Sequence, residues 1–430
     1  MSSSGTTTPD STHLRNRRVA LIMATLGFGV NFWAWALLSP LGPLFVSEGM
    51  VSSPALIVAV PVIVGSLGRI PIGALTDRFG GRVMMPLLSI ITIVPVLFVG
   101  FIGQYTYGTL LVGGFFLGIA GATFSIGVPY VNSWFPPEKR GMATGVYGIG
   151  MGGTAISAFV TVPLFKNVGS VAPFVLVAVV LAVYALVAWT MMRNAPAWAP
   201  ATKSMISQLA HVARIRLTWQ ACYLYAVAFG GYVAFSVYLP TLLHNWYDVS
   251  IGDASLRMAG FVIVAVAMRP LGGILSDRIG ATTTLLVGYA VVAVMAIVVI
   301  VLHMWQDAPS LIPVGTVGYI GMAAGLGLGS GGVFALIAKR SDPADVGSIT
   351  GFVGAAGGLG GFVPPLLLGF MWVQRGDYST GIALLAMATV FAMLVAVWAG
   401  QPAAATARPA RSAGAPAEET PDSAAEEALS

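Results

Sequence analysis

About twelve runs of roughly 20 apolar residues follow one another along this chain of 430 residues. A run of that length crosses the hydrocarbon core of a bilayer when it forms a helix. The composition agrees, because only 9% of the residues are charged, against roughly a quarter in soluble proteins. We therefore predict an all-α integral membrane protein with twelve transmembrane helices. The runs lie near 19–44, 55–76, 83–103, 108–132, 141–165, 171–192, 217–243, 255–276, 282–303, 311–338, 346–372 and 379–399.

The 21 Lys and Arg residues are distributed unevenly between these runs. Counted over alternate connections and the two ends, sixteen fall on one side and three on the other, while Arg69 and Arg269 lie inside apolar runs. Because short cytoplasmic loops retain basic residues, this asymmetry predicts a multi-pass protein of the inner (plasma) membrane with both termini in the cytoplasm. The net charge of +5 is thus a topology signal, so the bilayer is an expected partner and nucleic acid is not.

Two pairs of similar segments, separated by 200 and 206 residues, show that the chain repeats itself. GRIPIGALTDRFG (68–80) matches MRPLGGILSDRIG (268–280). Because both copies meet the same side of the membrane, the repeat predicts two parallel six-helix halves around a central cavity. The second pair, GMATGVYGIGMGG and GSITGFVGAAGGLGG, aligns Gly141, Gly145, Gly148 and Gly152 with Gly347, Gly351, Gly354 and Gly358.

The repeat and the changes in composition predict five regions. These are a cytoplasmic N-terminal segment (1–18), a first half (19–193), a cytoplasmic linker (194–216), a second half (217–400) and a cytoplasmic tail (401–430). The tail is rich in Ala, Pro and Glu and lacks large apolar side chains, so we expect it to be disordered.

Two groups of motifs resemble known transporters. GALTDRFGGR and GGILSDRIG are similar to the cytoplasmic loop motif between helices 2 and 3 and helices 8 and 9 of major facilitator transporters, which places Asp77, Arg78, Asp277 and Arg278 in that loop. NSWFPPEKRGMATGVYGIGMGGTAISAF and GSITGFVGAAGGLGGFVPP resemble the two glycine-rich signatures of the nitrate/nitrite porter family. This resemblance implies the major facilitator fold and transport of small anions.

The resemblance also implies a set of substrate-binding residues. The family's two substrate-binding arginines correspond to Arg69 and Arg269. The two phenylalanines whose rings sandwich the substrate correspond to Phe124 and Phe334, and a tyrosine of helix 7 corresponds to Tyr225. The chain departs from the family pattern at Met151 and Ser330, where many members carry asparagine. The preferred anion is therefore left open.

Arg69 is also unusual on physical grounds alone. It precedes the cytoplasmic Asp77 by eight residues, which places it roughly 12 Å inside the membrane. An arginine there costs at least about 2.5 kcal/mol and needs a partner or a cavity. The sixteen Asp and Glu residues are all expected in loops, tails or span entrances. Two arginines without acidic partners indicate an external anion, which a planar guanidinium binds through parallel hydrogen bonds. The alternative is a structural role, with each guanidinium paired to carbonyl groups.

The other candidates have structural alternatives as well. Phe124 and Phe334 fit ordinary packing or lipid contact, and Tyr225 shares its run with three further tyrosines. The eight repeated glycines recur every three or four residues, which suits close helix packing, a hinge between moving halves, or both.

We predict a secondary transporter of nitrate and nitrite that works by alternating access and exchanges one anion for the other. The alternatives are a carrier of a short carboxylate or phosphate ester, and a transporter-like anion sensor. No phosphate-binding loop motif occurs, and the four histidines have no metal-ligand spacing. An enzymatic activity, a cofactor and a metal are therefore not expected, and we expect a monomer.

Overall fold

The computed structural model describes residues 11–51, 54–196, 198–200, 205–304, 312–341 and 345–401. Throughout these ranges the chain is predominantly helical and forms no β-strand. Residues 1–10 and 402–430, together with parts of the predicted linker, lie outside the described ranges. The expected disorder of the tail concerns those residues.

The described helices fall into two sets, one for each predicted half. The first set comprises α1 (Ser11–Trp35), α2 (Gly42–Ser47), α3 (Ala55–Phe79), α4 (Gly81–Phe101), α5 (Tyr107–Leu117), α6 (Thr123–Trp134), α7 (Pro137–Gly148), α8 (Gly153–Asn167) and α9 (Ala172–Met191). The second set comprises α10 (Met205–Val212), α11 (Arg216–Tyr247), α12 (Ile251–Ile279), α13 (Ala281–Met304), α14 (Ile312–Arg340), α15 (Val346–Gly360), α16 (Val363–Arg375) and α17 (Ser379–Gly400).

Twelve helical segments of the described chain are long and apolar enough to cross a membrane, which confirms the predicted number. Three of these spans consist of two α-helices each, namely α5 with α6, α7 with α8, and α15 with α16. Short 3₁₀ turns at Gly118–Ala122 and Ile149–Gly152 join the first two of these pairs. The first span ends at Trp35 rather than near residue 44. Pro40 and Pro43 follow it, and neither has an amide proton for a helical hydrogen bond.

The repeated motif ends in the same way in both halves. α3 ends at Phe79 and α12 at Ile279, and the next residues, Gly80 and Gly280, have φ of 80° and 92°. Glycine adopts this conformation without steric cost, so it stops the helix. The last turn of each helix therefore contains the Asp and Arg residues expected in the loop, Asp77 and Arg78 in α3 and Asp277 and Arg278 in α12. In each half the loop consists only of the glycine that follows.

α11 lies in the interior of the molecule. In its most apolar part, 94% of the residues are buried, whereas the flanking spans expose much of their apolar surface. Small residues permit this position, because Gly230 packs against the backbone of Gly360 in α15. Aromatic side chains of α11 contact both halves, since the Tyr232 hydroxyl hydrogen-bonds with the Thr154 hydroxyl and the Tyr223 hydroxyl donates to the Ala388 carbonyl oxygen.

The two halves meet along two pairs of spans. α3 packs against α15 and α16, and α12 packs against α7 and α8. Further along, the Ser39 hydroxyl donates to the Val237 carbonyl oxygen at 2.6 Å, which joins the segment after α1 to α11. Both arginine-bearing helices, α3 and α12, thus lie at the boundary between the halves.

Candidate functional site

Arg69 lies in the middle of α3 and is only 6% exposed. Its Nε donates to the Gly121 carbonyl oxygen at 3.4 Å, inside its own half. Its Nη1 donates to the Gly354 carbonyl oxygen of α15, which belongs to the second half. The guanidinium therefore connects the two halves through neutral acceptors.

Arg269 occupies the equivalent place in α12 and is 8% exposed. Its Nη2 donates to the Tyr225 hydroxyl oxygen at 2.7 Å. Its Nη1 contacts the sulfur of Met151, which belongs to the first half. Each arginine thus reaches from its own half to the other, and Tyr225 contacts Arg269.

A phenylalanine that the sequence did not predict as a site residue contacts both arginines. The ring centre of Phe229 is 5.3 Å from the guanidinium carbon of Arg69 and 5.4 Å from that of Arg269. Phe229 follows Tyr225 by one helical turn, and their rings stack at 5.0 Å with an angle of 3° between their planes. The spacing of one helical turn from Tyr225 was the sequence signal that could have identified Phe229 as a site residue. Cation–π attraction stabilises both guanidiniums against this shared ring.

The two phenylalanines named from the resemblance occupy different places. Phe124 faces Arg69, with 5.1 Å between its ring centre and the guanidinium carbon, and it stacks on Phe229 at 6.3 Å. Phe334 lies edge-on to Tyr225, with 4.8 Å between ring centres. Phe124 therefore contacts an arginine directly, whereas Phe334 adjoins the site through Tyr225.

Three glycines of α15 bring that helix against the site. A Cβ atom on Gly358 would lie 2.8 Å from Nη1 of Arg69 and still closer to the Ser66 hydroxyl oxygen. A Cβ on Gly354 would lie 2.9 Å from the Phe124 ring, and one on Gly357 would overlap the Tyr225 ring. The second half can approach the arginine of the first half because these side chains are absent.

The repeated glycines of the first half have different surroundings. Gly145, Gly148 and Gly152 have open space where a Cβ would be placed, as does Gly351. The close contacts of this span are made by Gly150, against Phe28, and by Gly153, against the backbone of α1. Gly141 and Gly347 are helical, near the beginnings of α7 and α15. The glycine repeat is therefore asymmetric in its packing.

Neighbouring glycines fix the backbone under each arginine. Gly65 and Gly121 bring α3 against the span that follows, since a Cβ on Gly121 would lie 3.2 Å from Cα of Gly65. Gly331 of α14 packs directly on the carbonyl oxygen of Arg269. Ser330, beside it, is 1% exposed. These helix contacts limit how far either guanidinium can move.

Charge at the site comes from the two guanidiniums. The ion pairs found in the described ranges join other residues, and Asp277 pairs with Lys339 of its own half at 3.3 Å. Within those ranges no cluster of three His, Cys, Asp or Glu could hold a metal ion.

A cavity of about 10 Å³ adjoins Arg69 and has room for about one water. Residues from both halves line it, including Ser66 and Val233.

Comparison with known proteins identifies relatives along most of the chain. The Major Facilitator Superfamily model matches residues 24–365 and, in a second alignment, 247–426. The "Probable nitrate/nitrite transporter NarK2" of Mycobacterium tuberculosis is 43% identical over 394 residues, covering 90% of this chain and 98% of that protein. The "Nitrite extrusion protein" of Bacillus subtilis is 33% identical over 390 residues, covering 90% and 95%.

A solved structure has the same fold. The crystal structure of the human organic anion transporter MFSD10 superposes with a TM-score of 0.67 at 14% identity, covering 88% of this chain and 99% of that one. At that identity the similarity concerns the fold alone. It agrees with the two six-helix halves predicted from the sequence.

Proposed function

Because the chain belongs to the nitrate/nitrite porters of the major facilitator superfamily, we propose that it carries nitrate and nitrite across the membrane by alternating access. The chain is a multi-pass membrane protein. The bias of Lys and Arg supports the plasma membrane and cytoplasmic termini as part of the same proposal. The relatives named for nitrate and nitrite support the choice of anion.

One observation carries the proposal, namely that two buried guanidiniums lie at the boundary between the halves and neither has a carboxylate partner among the described residues. Their hydrogen bonds go to carbonyl, hydroxyl and thioether groups, which are all neutral. A small planar oxyanion can replace these acceptors, and it also compensates the positive charge. Binding at this place joins Arg69 of one half to Arg269 of the other, as alternating access requires.

We further propose that transport is an exchange. Proton symporters commonly use a titratable carboxylate shielded from water. The described spans carry carboxylates near their ends, at Asp77, Asp253 and Asp277, and none of these contacts Arg69 or Arg269. Because two permanent positive charges favour the anion-bound carrier, return without an anion is slow, and nitrate moving one way is matched by nitrite moving the other.

The proposal is tested in liposomes containing the purified protein. Nitrate uptake is measured into vesicles preloaded with nitrite and into vesicles without it, each with and without an inward proton gradient. We expect rapid uptake only into the preloaded vesicles, unaffected by the gradient. Rapid gradient-dependent uptake into vesicles without nitrite would instead indicate symport. Binding of nitrate without uptake under any condition would favour an anion sensor. Protein-free vesicles serve as the control.

A further inference from the structure

The end of the second half that lies away from Gly80 and Gly280 carries a largely buried histidine. His303 is in the last turn of α13, and its side chain is 12% exposed. Its ring stacks on that of Trp246 in α11, with 3.8 Å between the ring centres and 26° between the planes. Its Nε2 lies 3.3 Å from Oδ1 of Asp377, in the turn between α16 and α17. One side chain thus connects three separate parts of the second half.

The rings around His303 also contact one another. Tyr378, in the turn between α16 and α17, stacks on Trp372 of α16 at 5.0 Å and lies edge-on to Trp246 at 5.6 Å. The Tyr378 hydroxyl oxygen accepts from Nδ2 of Asn245 at 2.8 Å. The turn between α16 and α17 is therefore packed against the end of α11, and His303 joins this contact from α13.

The end of α11 that carries Trp246 is separated from the arginine site by a proline. Pro240 has no amide proton, so the Ser236 carbonyl oxygen lacks its helical hydrogen bond. The Ser39 hydroxyl, which belongs to the first half, donates to that oxygen at 3.2 Å. Because proline is a common cause of helix kinks, α11 can bend at this position.

The segment 241–247, beyond the proline, lies against the first half. A Cβ on Gly42, at the start of α2, would be 3.5 Å from the Thr241 hydroxyl oxygen. α16, which begins at Val363 after a break in its span, packs against α3 of the first half. The elements that meet at His303 therefore also close this end of the molecule.

We propose that His303 is a pH-responsive switch, which on protonation holds the segment 241–247 to the turn between α16 and α17 and so slows opening of this end. The inference rests on the proposed function, and in the proposed orientation this end faces the outside of the cell. Histidine commonly changes its charge between pH 5 and 8. An imidazolium is attracted to the Asp377 carboxylate and to the face of Trp246, whereas the neutral ring keeps the stacking and one hydrogen bond.

Among the described residues, Asp377 forms the ion pair with His303. Asp253 and Arg257 of α12 pair with each other at 2.9 Å. Nδ1 of His244 meets a neutral group, the Val249 carbonyl oxygen, at 2.9 Å. Water screens the exposed charges of this end, and the tyrosines of the cluster stay neutral between pH 5 and 8. These exposed groups and tyrosines are Asp248, Arg375, Tyr238, Tyr247 and Tyr378.

The test measures exchange of nitrate for nitrate at pH 5.5 and at pH 8, with the same pH on both sides of the membrane. Liposomes containing the full-length protein are preloaded with unlabelled nitrate, and uptake of ¹⁵N-labelled nitrate is followed. Nitrate stays ionised throughout this range, and equal pH removes any proton gradient. The variants are His303→Gln, Asp377→Asn and, as a matched control, His244→Gln, which removes a histidine of the same end. Size-exclusion chromatography checks each variant first.

We expect the unchanged protein to exchange nitrate about 3- to 30-fold more slowly at pH 5.5 than at pH 8, the factor that a partly exposed ion pair and a cation–π contact supply together. In His303→Gln the two rates should agree within about twofold, because glutamine does not titrate. Asp377→Asn should weaken the pH response, and it serves alone if His303→Gln is not monodisperse. His244→Gln should keep the response of the unchanged protein.

Two results would overturn the inference. One is an equal rate at both pH values in the unchanged protein. The other is a full pH response in His303→Gln, or in Asp377→Asn where that variant serves alone. Absence of nitrate exchange by the unchanged protein at both pH values would instead refute the proposed function.

Discussion

Replacing Gly358 by alanine should damage the site from a buried position that carries no charge. The new Cβ would lie 2.8 Å from Nη1 of Arg69 and closer still to the Ser66 hydroxyl oxygen. Overpacking of this kind costs about 1–3 kcal/mol. The guanidinium would be displaced from the Gly354 carbonyl oxygen, or α15 would move away from α3. We expect nitrate affinity to fall by about 5- to 150-fold on the same energy scale.

The repeat supplies a matched control for this experiment. Gly152 aligns with Gly358, but a Cβ there meets nothing within 4 Å. Gly152→Ala should therefore keep wild-type nitrate affinity, and as a helix-favouring change it should not lower the thermal midpoint of unfolding. Equal loss of affinity in the two variants, measured by calorimetry, would refute the reasoning.

A double variant separates the two clashes at Gly358. The Ser66 hydroxyl donates to the Val62 carbonyl oxygen of its own helix, so Ser66→Ala removes the nearer obstacle at little cost. In the protein with both changes, stability should recover while nitrate affinity stays low, because the overlap with Arg69 persists. Full recovery of affinity would mean that Arg69 is not displaced.

Two further predictions concern charge and rings. Arg69→Lys and Arg269→Lys should each fold normally and lower nitrate affinity by about tenfold or more, because lysine keeps the charge but lacks the planar pair of donors; unchanged dissociation constants in both variants would remove the arginines from the site. Phe229→Leu should lower the free energy of unfolding, measured in urea, by about 1 kcal/mol more than Phe174→Leu does. Phe229 faces both guanidiniums, whereas the buried Phe174 serves as an apolar control. Equal losses would show that the ring acts only by packing.

The helices of this protein follow from its sequence because the bilayer leaves few choices. A run of about 20 apolar residues must satisfy its backbone internally, so it forms a helix whatever its neighbours do. Helix ends were less predictable. α11 and α12 continue beyond the apolar runs to Tyr247 and Ile279. The polar residues at the membrane interface can continue a helix as readily as they can form a loop.

The arginines were predictable for the same reason, since charge inside an apolar run is conspicuous. Their surroundings were not. Phe229 resembles any buried aromatic in an apolar helix, and only its contact with both guanidiniums distinguishes it. The glycine repeat likewise gave the spacing but not the contacts. Gly354 and Gly358 touch the site, whereas Gly148 and Gly152 do not, because the neighbours are set by helix packing across the halves.

The alternative role for the arginines, pairing with carbonyl groups, agrees with the hydrogen bonds of Arg69 but does not account for its charge. A carbonyl oxygen accepts a hydrogen bond and leaves the full positive charge in place. The ring of Phe229 adds attraction of about 0.5–2 kcal/mol for each guanidinium, less than the cost of burying a charge without a counterion. Two like charges that share one ring also repel each other. A single monovalent anion between them reduces both penalties, and without it each change of conformation must carry two uncompensated charges. The proposed exchange follows from this difference, because the carrier moves most easily when an anion occupies the site in both directions.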